Sequence, residues 1–280
     1  MSVNSRSRAP DKKRTYTFKE IGILWQHATP LERVFMALAL NCSFGDGEIS
    51  TLAEPEINGK VIKRVRHKTK VFGAWWLMPI TREAIAYARG MKEANGFQSP
   101  FLLVTSSGKP YCQPTKGNNK NGKIRNSWNR LLDRIRSIEE HKNFPRLSFG
   151  KLRKTSASWV RKIGGGELAS IHISHGKATT DSLLDVYADR QFKRLFSAHK
   201  RLWKRLESVM VGGFPVPKAR KPLSVTEPAK VKRILTIRRR GYSLGGIARE
   251  TDTPPTTVAR IIRNAKKKPI ITGGPAENAP

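Results

Sequence analysis

The sequence predicts a mostly helical α+β protein, with one larger domain that contains a small three-stranded antiparallel sheet and one small all-helical domain. Apolar residues recur at helical spacing over most of the chain. The exception is 49–80, where β-prone runs flank Asn58-Gly59, a dipeptide typical of hairpin turns. A stretch rich in Gly and Pro then indicates a linker. We therefore divide the chain into a disordered basic arm at 1–15, the larger domain at 16–210, the linker at 211–229, the helical domain at 230–265 and a disordered tail at 266–280.

The elements of the larger domain follow from local signals. Thr17 and Glu20 form a capping-box pattern ahead of the first helix. The three strands of the sheet are expected at 49–57, 60–67 and 72–80, and a further short strand is expected at 101–104 within a loop region. Further helices are expected at 31–41, 81–93, 126–141, 152–163 and 182–210.

The charge of the chain indicates a nucleic-acid partner. Lys and Arg number 54 against 21 Asp and Glu, which gives a formal net charge of +33. Neutralising DNA phosphates releases counterions, so we expect double-stranded DNA to bind tightly at low salt. No apolar run reaches the about 18 residues of a membrane span, and no signal peptide is evident. The two cysteines, Cys42 and Cys112, are too few for a disulfide framework, which favours the reducing cytoplasm. Together these features predict a cytoplasmic, nucleoid-associated protein without membrane contact.

Three residues in the segment 148–187 suggest a reaction at phosphate. Arg153, His175 and Tyr187 follow one another in the order that a phosphate-attacking tyrosine needs. A phenol with a pKa of about 10 is a weak nucleophile, so cations have to hold the phosphodiester and disperse its charge. An arginine fork and an imidazole donor suit that role.

The same segment resembles the C-terminal half of the catalytic domain of the tyrosine recombinases, the phage integrase family. Residues 152–155 (L-R-K-T) resemble the L-R-H-T element of that family. Residues 174–176 (S-H-G), followed by Thr179 and Thr180, resemble its G-H-S and T-T elements. Tyr187 then takes the position of the nucleophile, somewhat farther from the histidine than is usual in the family.

This resemblance implies a function and a set of roles. Tyr187 would attack a DNA phosphate to form a 3′-phosphotyrosyl link, while Arg153 and His175 stabilise the transition state. Lys68, in the second turn of the sheet, would protonate the leaving 5′ oxygen, with Lys70 as the second candidate. No metal or other cofactor is implied. The family acts on paired sites, so a homo-oligomer on DNA is expected.

Two positions depart from the family pattern. The register set by Glu48 places Gly45 where the family has its first catalytic arginine, and Gly150 stands where H-x-x-R has its histidine. Losing one donor from such a site typically costs about two to three orders of magnitude in rate. Either other cations contact the phosphate, or the fold serves DNA binding without strand cleavage. The candidate cations are Arg64, Arg66 and Lys151.

The segment 231–264 resembles the helix-turn-helix of resolvases and other site-specific DNA-binding proteins. Ser243 is expected to cap the second helix, and Asp252 takes the left-handed turn position that is usually Gly. The recognition helix would present side chains to the major groove or to phosphates. The DNA contacts expected from this helix are Thr256, Thr257, Arg260 and Arg263, and those expected from the larger domain are Lys70, Lys151 and Lys154.

Simpler interpretations stay open for each residue. Arg153 could belong to a solvated basic helix face, His172 and His175 could cap loops, and Tyr187 could be a half-buried phenol. The hairpin lysines could contact phosphate without taking part in catalysis. Three functions are therefore compared: a recombinase of a mobile element, a non-enzymatic DNA-binding protein that retains the recombinase fold, and a basic architectural or RNA-associated protein.

Overall fold

The structure is a computed structural model that describes residues 14–66, 70–111, 122–174, 182–218 and 228–267, with the backbone alone for 182–191, 228, 264, 266 and 267. The chain divides into two compact units, residues 1–219 and residues 220–280. Among the described residues, no helix combines the length and the apolar character that crossing a membrane requires.

The first unit packs helices around one core together with a three-stranded antiparallel sheet, which confirms the predicted fold class. Its helices are α1 (Phe18–His27), α2 (Pro30–Cys42), α3 (Asp46–Ser50), α4 (Pro79–Ala94), α5 (Lys123–Arg136), α6 (Gly150–His172) and α7 (Ser182–Leu206). Its strands are β1 (Ile57–Asn58), β2 (Val61–Val65) and β3 (Phe72–Trp76).

The first two helices begin with capping boxes. In α1 the Glu20 amide donates to Thr17 Oγ1 at 3.2 Å, and the Thr17 amide donates to Glu20 Oε2 at 2.7 Å, as predicted. Thr29 and Glu32 repeat this arrangement at the start of α2. Both boxes satisfy amides that have no partner inside the helix. All residues of α2 from Val34 onward are buried, so this helix lies in the middle of the core.

The sheet follows the hairpin signal, with shorter strands than predicted. The strand predicted at 49–57 is reduced to β1, because the chain before it forms the end of α3 and a 3₁₀ helix at Glu54–Glu56. Strand order is β1-β2-β3, and Asn58 pairs with Val61 across the predicted Asn58-Gly59 turn. Gly59 has φ +56°, a left-handed conformation that glycine adopts without steric cost. The strand predicted at 72–80 ends at Trp76, because Pro79 begins α4 and fits the first turn of a helix.

Three further predictions needed correction. No strand forms at 101–104, where Phe101 makes only an isolated bridge to Ala53. Helix α5 ends at Arg136, and Ile138 instead precedes a short 3₁₀ helix. Helix α6 runs well beyond the predicted 152–163, because the backbone resumes its helical course after a kink at Gly165, which has φ +87°.

The described part of the second unit, residues 228–267, contains α8 (Pro228–Arg239), α9 (Leu244–Glu250) and α10 (Pro255–Lys267). Ile234, Ile247 and Val258 are fully buried and hold the three helices together. Ser243 caps α9, since its Oγ accepts from the Gly246 amide at 3.1 Å. Asp252, between α9 and α10, has φ +43°, which is the left-handed conformation expected there.

Candidate active site

The candidate site lies where the turn between α2 and α3, the end of β2 and the C-terminal end of α6 meet. The side chain of Arg66, which follows β2, is 2 % exposed. Its Nε lies 2.5 Å from Glu48 Oε1, and its Nη2 donates to the Ser43 carbonyl at 3.2 Å. Its Nη1 donates to the Ile173 carbonyl, 107 residues away in sequence. One guanidinium thus connects all three segments.

Arg153 reaches the same place from the first turns of α6. Its Nη2 donates to the Ile173 carbonyl at 3.2 Å, and its Nη1 lies 3.7 Å from Glu48 Oε2. Arg66 and Arg153 therefore share one carbonyl and one carboxylate. The shared carbonyl lies at the C-terminal end of α6, where the helix dipole favours positive charge. The next two residues are Ser174 and His175.

Positive charge exceeds negative charge in this cluster. Arg64 lies 3.1 Å from Glu56 and donates to the Glu48 carbonyl at 2.8 Å. The three guanidiniums of Arg64, Arg66 and Arg153 thus face the two carboxylates of Glu48 and Glu56. Burial lowers the pKa of Arg66 and of Arg153, and Arg66 lowers that of Arg153 further, whereas Glu48 opposes both shifts. Because an arginine stays protonated in proteins, an additional anion is favoured here.

The turn before α3 shapes the carboxylate side of the site. The Gly45 amide donates to Glu48 Oε2 at 2.6 Å, which fixes the carboxylate at the start of the helix. A Cβ added at Gly45 would lie 3.3 Å from that same oxygen. A side chain at position 45 would therefore begin beside Glu48, but glycine leaves Arg66 and Arg153 as the cations that approach this carboxylate among the described residues.

The sheet packs directly against the end of α6. A Cβ added at Gly73 in β3 would collide with Ser174 Oγ and with the Trp75 ring, so this close approach requires glycine. Trp75 Nε1 donates to the His172 carbonyl at 2.9 Å. These contacts fix the hairpin and the segment that leads to His175 in one arrangement.

A buried histidine pair ties α6 to α7. Ser156 Oγ donates to the Leu40 carbonyl, so it accepts at 2.7 Å from His172 Nε2. His172 Nδ1 and His199 Nε2 are hydrogen-bonded to each other at 3.0 Å. Burial lowers the pKa of His172 well below its ordinary value and that of His199 to about 3, so both rings are neutral. The suggestion that His172 caps a loop is therefore wrong, and sequence spacing gave no sign of its contact with His199.

The sequence-predicted residues fall into three groups. Arg153 lies in the cluster, together with Arg66, which was one of the candidate alternative cations. Lys70 and Lys154 are exposed and Lys151 is half-buried, so all three can reach an external ligand. Outside the described residues lie Lys68, His175, Thr179, Thr180 and the side chain of Tyr187, whose backbone belongs to α7.

In the second unit, the four predicted DNA contacts all lie on α10. Thr256 and Arg263 are exposed, and Thr257 and Arg260 are half-buried. Val258 and Ile261 on the same helix are buried in the core of this unit.

Comparison with known proteins gives only distant likenesses. No protein-family model matches the chain, and no curated protein matches it. The lambda integrase catalytic core is 16 % identical, with a TM-score of 0.42 over 60 % of this chain and 95 % of that one. XerA recombinase is 13 % identical, with a TM-score of 0.48 over 69 % and 67 %. A lambda integrase dimer bound to a COC′ core site is 16 % identical, with a TM-score of 0.40 over 65 % and 50 %. These values are too low to assign the chain to a family.

Proposed function

We propose that this protein binds double-stranded DNA and cleaves and rejoins it through a covalent 3′-phosphotyrosyl intermediate, as in DNA recombination or integration. The observation that carries this proposal is the convergence of Arg66 and Arg153 on the chain just before His175. The excess positive charge of that cluster suits a phosphodiester. The net charge of +33 supports DNA as the polyanion.

The proposed reaction conserves the energy of the phosphodiester. The Tyr187 phenol loses its proton to solvent as its oxygen attacks phosphorus, and the bond between phosphorus and the 5′ oxygen breaks. Lys68 delivers one proton to the departing oxygen and is reprotonated from solvent, so one proton is lost and one is gained. Arg153 and His175 hold the non-bridging oxygens as charge develops on them. Rejoining reverses these steps, so no nucleotide or metal is needed to supply energy.

The second unit is proposed to be a helix-turn-helix that selects the DNA site. In this proposal α10 lies in the major groove, where Thr256, Thr257, Arg260 and Arg263 contact base edges or phosphates, and Lys70, Lys151 and Lys154 of the first unit contact phosphates. The left-handed turn at Asp252 and the inward position of Val258 support this role. We also propose that the protein acts as a homo-oligomer on DNA, belongs to a mobile element and is nucleoid-associated.

A second function is favoured by a specific observation. Gly45 and Gly150 bring no side chain to positions where the resemblance calls for an arginine and a histidine. A protein that retains the fold for DNA binding alone could lack both catalytic side chains in this way. Binding without strand cleavage is therefore the competing proposal.

Incubation with supercoiled plasmid separates the two proposals. The protein is incubated without metal, and relaxation and covalent protein–DNA adduct are measured for wild type and for Tyr187→Phe. An adduct that is absent in the Phe variant supports strand cleavage. Salt-sensitive binding by both proteins, with neither adduct nor relaxation, supports DNA binding alone.

A further inference from the structure

We propose that Arg66 is a positioning residue that neutralises Glu48 and thereby leaves the charge of Arg153 available to the phosphate. This inference rests on the proposed function, since it names the group that prepares the same phosphate site. It assigns a role to a residue at the end of β2, outside the segment 148–187 that contains Arg153, His175 and Tyr187.

The distances support this division of labour. Glu48 lies 2.5 Å from Arg66 Nε but 3.7 Å from Arg153 Nη1. The side chain of Arg66 is 2 % exposed, whereas that of Arg153 is 31 % exposed and so reaches solvent. The buried guanidinium therefore holds the carboxylate, and the accessible one keeps donors for an external ligand.

The charge balance explains why the arrangement matters. Arg66, Arg153 and Glu48 together carry one net positive charge. If the charge of Arg66 is removed, Arg153 becomes the remaining ion-pair partner of Glu48 among the residues that the structure describes, and the net charge of the two is zero. A phosphate then has to compete with Glu48 for Arg153, and Coulomb interactions are strong at partly buried sites.

The inference is tested with variants that remove or add one charge. Arg66→Met removes the charge, and Arg66→Met/Glu48→Gln restores the net charge of the cluster without restoring the contact from Arg66 to Glu48. Gly45→Arg in the Arg66→Met background supplies a cation beside Glu48 from the α3 turn, where the backbone has an ordinary φ of −89°. Because a cation at position 45 could also contact the phosphate directly, recovery by this variant supports the inference only together with recovery by the Glu48→Gln double variant, and recovery by Gly45→Arg alone would overturn it. Lys63→Met is the matched control, because Lys63 is an exposed cation of the adjacent strand β2.

The first measurement is the rate of adduct formation on plasmid DNA. We expect Arg66→Met to lower this rate by about 10²–10³-fold. Either compensating change should recover at least about tenfold of that loss, while Lys63→Met stays within about twofold of wild type. A folded Arg66→Met variant with the wild-type rate would overturn the inference. A slow Arg66→Met variant that neither compensating change improves would show that Arg66 is only a structural tether.

A second measurement does not depend on strand cleavage. Thermal unfolding is followed in orthophosphate and in chloride at equal ionic strength, because a ligand of the folded state raises the midpoint. We expect phosphate to stabilise wild type, Lys63→Met and the Glu48→Gln double variant more than Arg66→Met. If wild type forms no adduct but this difference persists, the proposed function fails and the role of Arg66 stands. Equal stabilisation of all variants contradicts that role. Cooperative melting of each variant verifies that it is folded.

Discussion

Acidification should destabilise the first unit through its buried histidine pair. His172 and His199 are fully buried and hydrogen-bonded to each other, and burial lowers the pKa of His199 to about 3 and that of His172 well below its ordinary value. Both rings therefore stay neutral in the folded protein near pH 5. In the unfolded chain the same side chains bind protons below a pKa of about 6.5.

The sign and size of the effect follow from proton linkage. Below the unfolded pKa the unfolded chain binds more protons than the folded protein, so the free energy of unfolding falls as the pH falls. With a pKa of about 6.5 in the unfolded chain, each histidine that stays neutral in the folded protein lowers the free energy of unfolding by about 2 kcal/mol near pH 5. The pair thus costs about 4 kcal/mol, a large part of the roughly 5–15 kcal/mol that stabilises a typical domain.

Urea unfolding followed by tryptophan fluorescence at about pH 8 and about pH 5 measures this loss. His199→Leu removes one titrating group, so it should reduce the pH-dependent loss by about 2 kcal/mol. Leu195→Ala is the matched control, because it removes a buried side chain of the same helix without removing a titrating group. If His199→Leu and Leu195→Ala lose stability equally on acidification, the reasoning is refuted.

Three further predictions follow from packing and charge. Gly73→Ala should lower the free energy of unfolding in urea by about 1–3 kcal/mol, because the added Cβ collides with Ser174 and Trp75. The control Gly47→Ala should be close to neutral, because its Cβ meets no described atom within 4 Å. Ile247→Ala should lower the free energy of unfolding of α8–α10 by about 2–5 kcal/mol, so the amides of these helices should lose protection from hydrogen exchange. Equal protection in wild type and variant would contradict this. Arg260→Ala and Arg263→Ala should each weaken DNA binding and reduce by about 1 the slope of log affinity against log salt concentration. The control Lys232→Ala on α8 should change this slope less. Equal slopes for all three variants would argue against α10 as the DNA-binding helix.

Local features of the fold were predictable because their determinants are close in sequence. The capping box of Thr17 and Glu20 and the Asn58-Gly59 turn each depend on neighbouring residues. The left-handed conformation of Asp252 is equally local. The kink at Gly165 was missed because a glycine inside a helical pattern can be tolerated, can end the helix or can bend it.

The site was predictable only in part because its contacts join distant segments. Arg153 was predicted as a site residue from its motif, whereas Arg66 was one of several alternative cations with no pattern to favour it. Its partners Ser43, Glu48 and Ile173 come from two other segments, and tertiary packing decides that they meet. The same holds for His172 and His199, which are 27 residues apart and lie on different helices.

The most direct test of the proposed reaction is the chemical nature of the broken DNA ends. Plasmid trapped with the protein is digested with protease, and its 5′ ends are labelled with polynucleotide kinase without prior phosphatase treatment. Attack by Tyr187 predicts free 5′ hydroxyls that accept label, a 3′ end that retains a peptide containing Tyr187, and neither product with Tyr187→Phe. Ends that carry 5′ phosphate, or an adduct that persists in the Phe variant, would contradict the proposal.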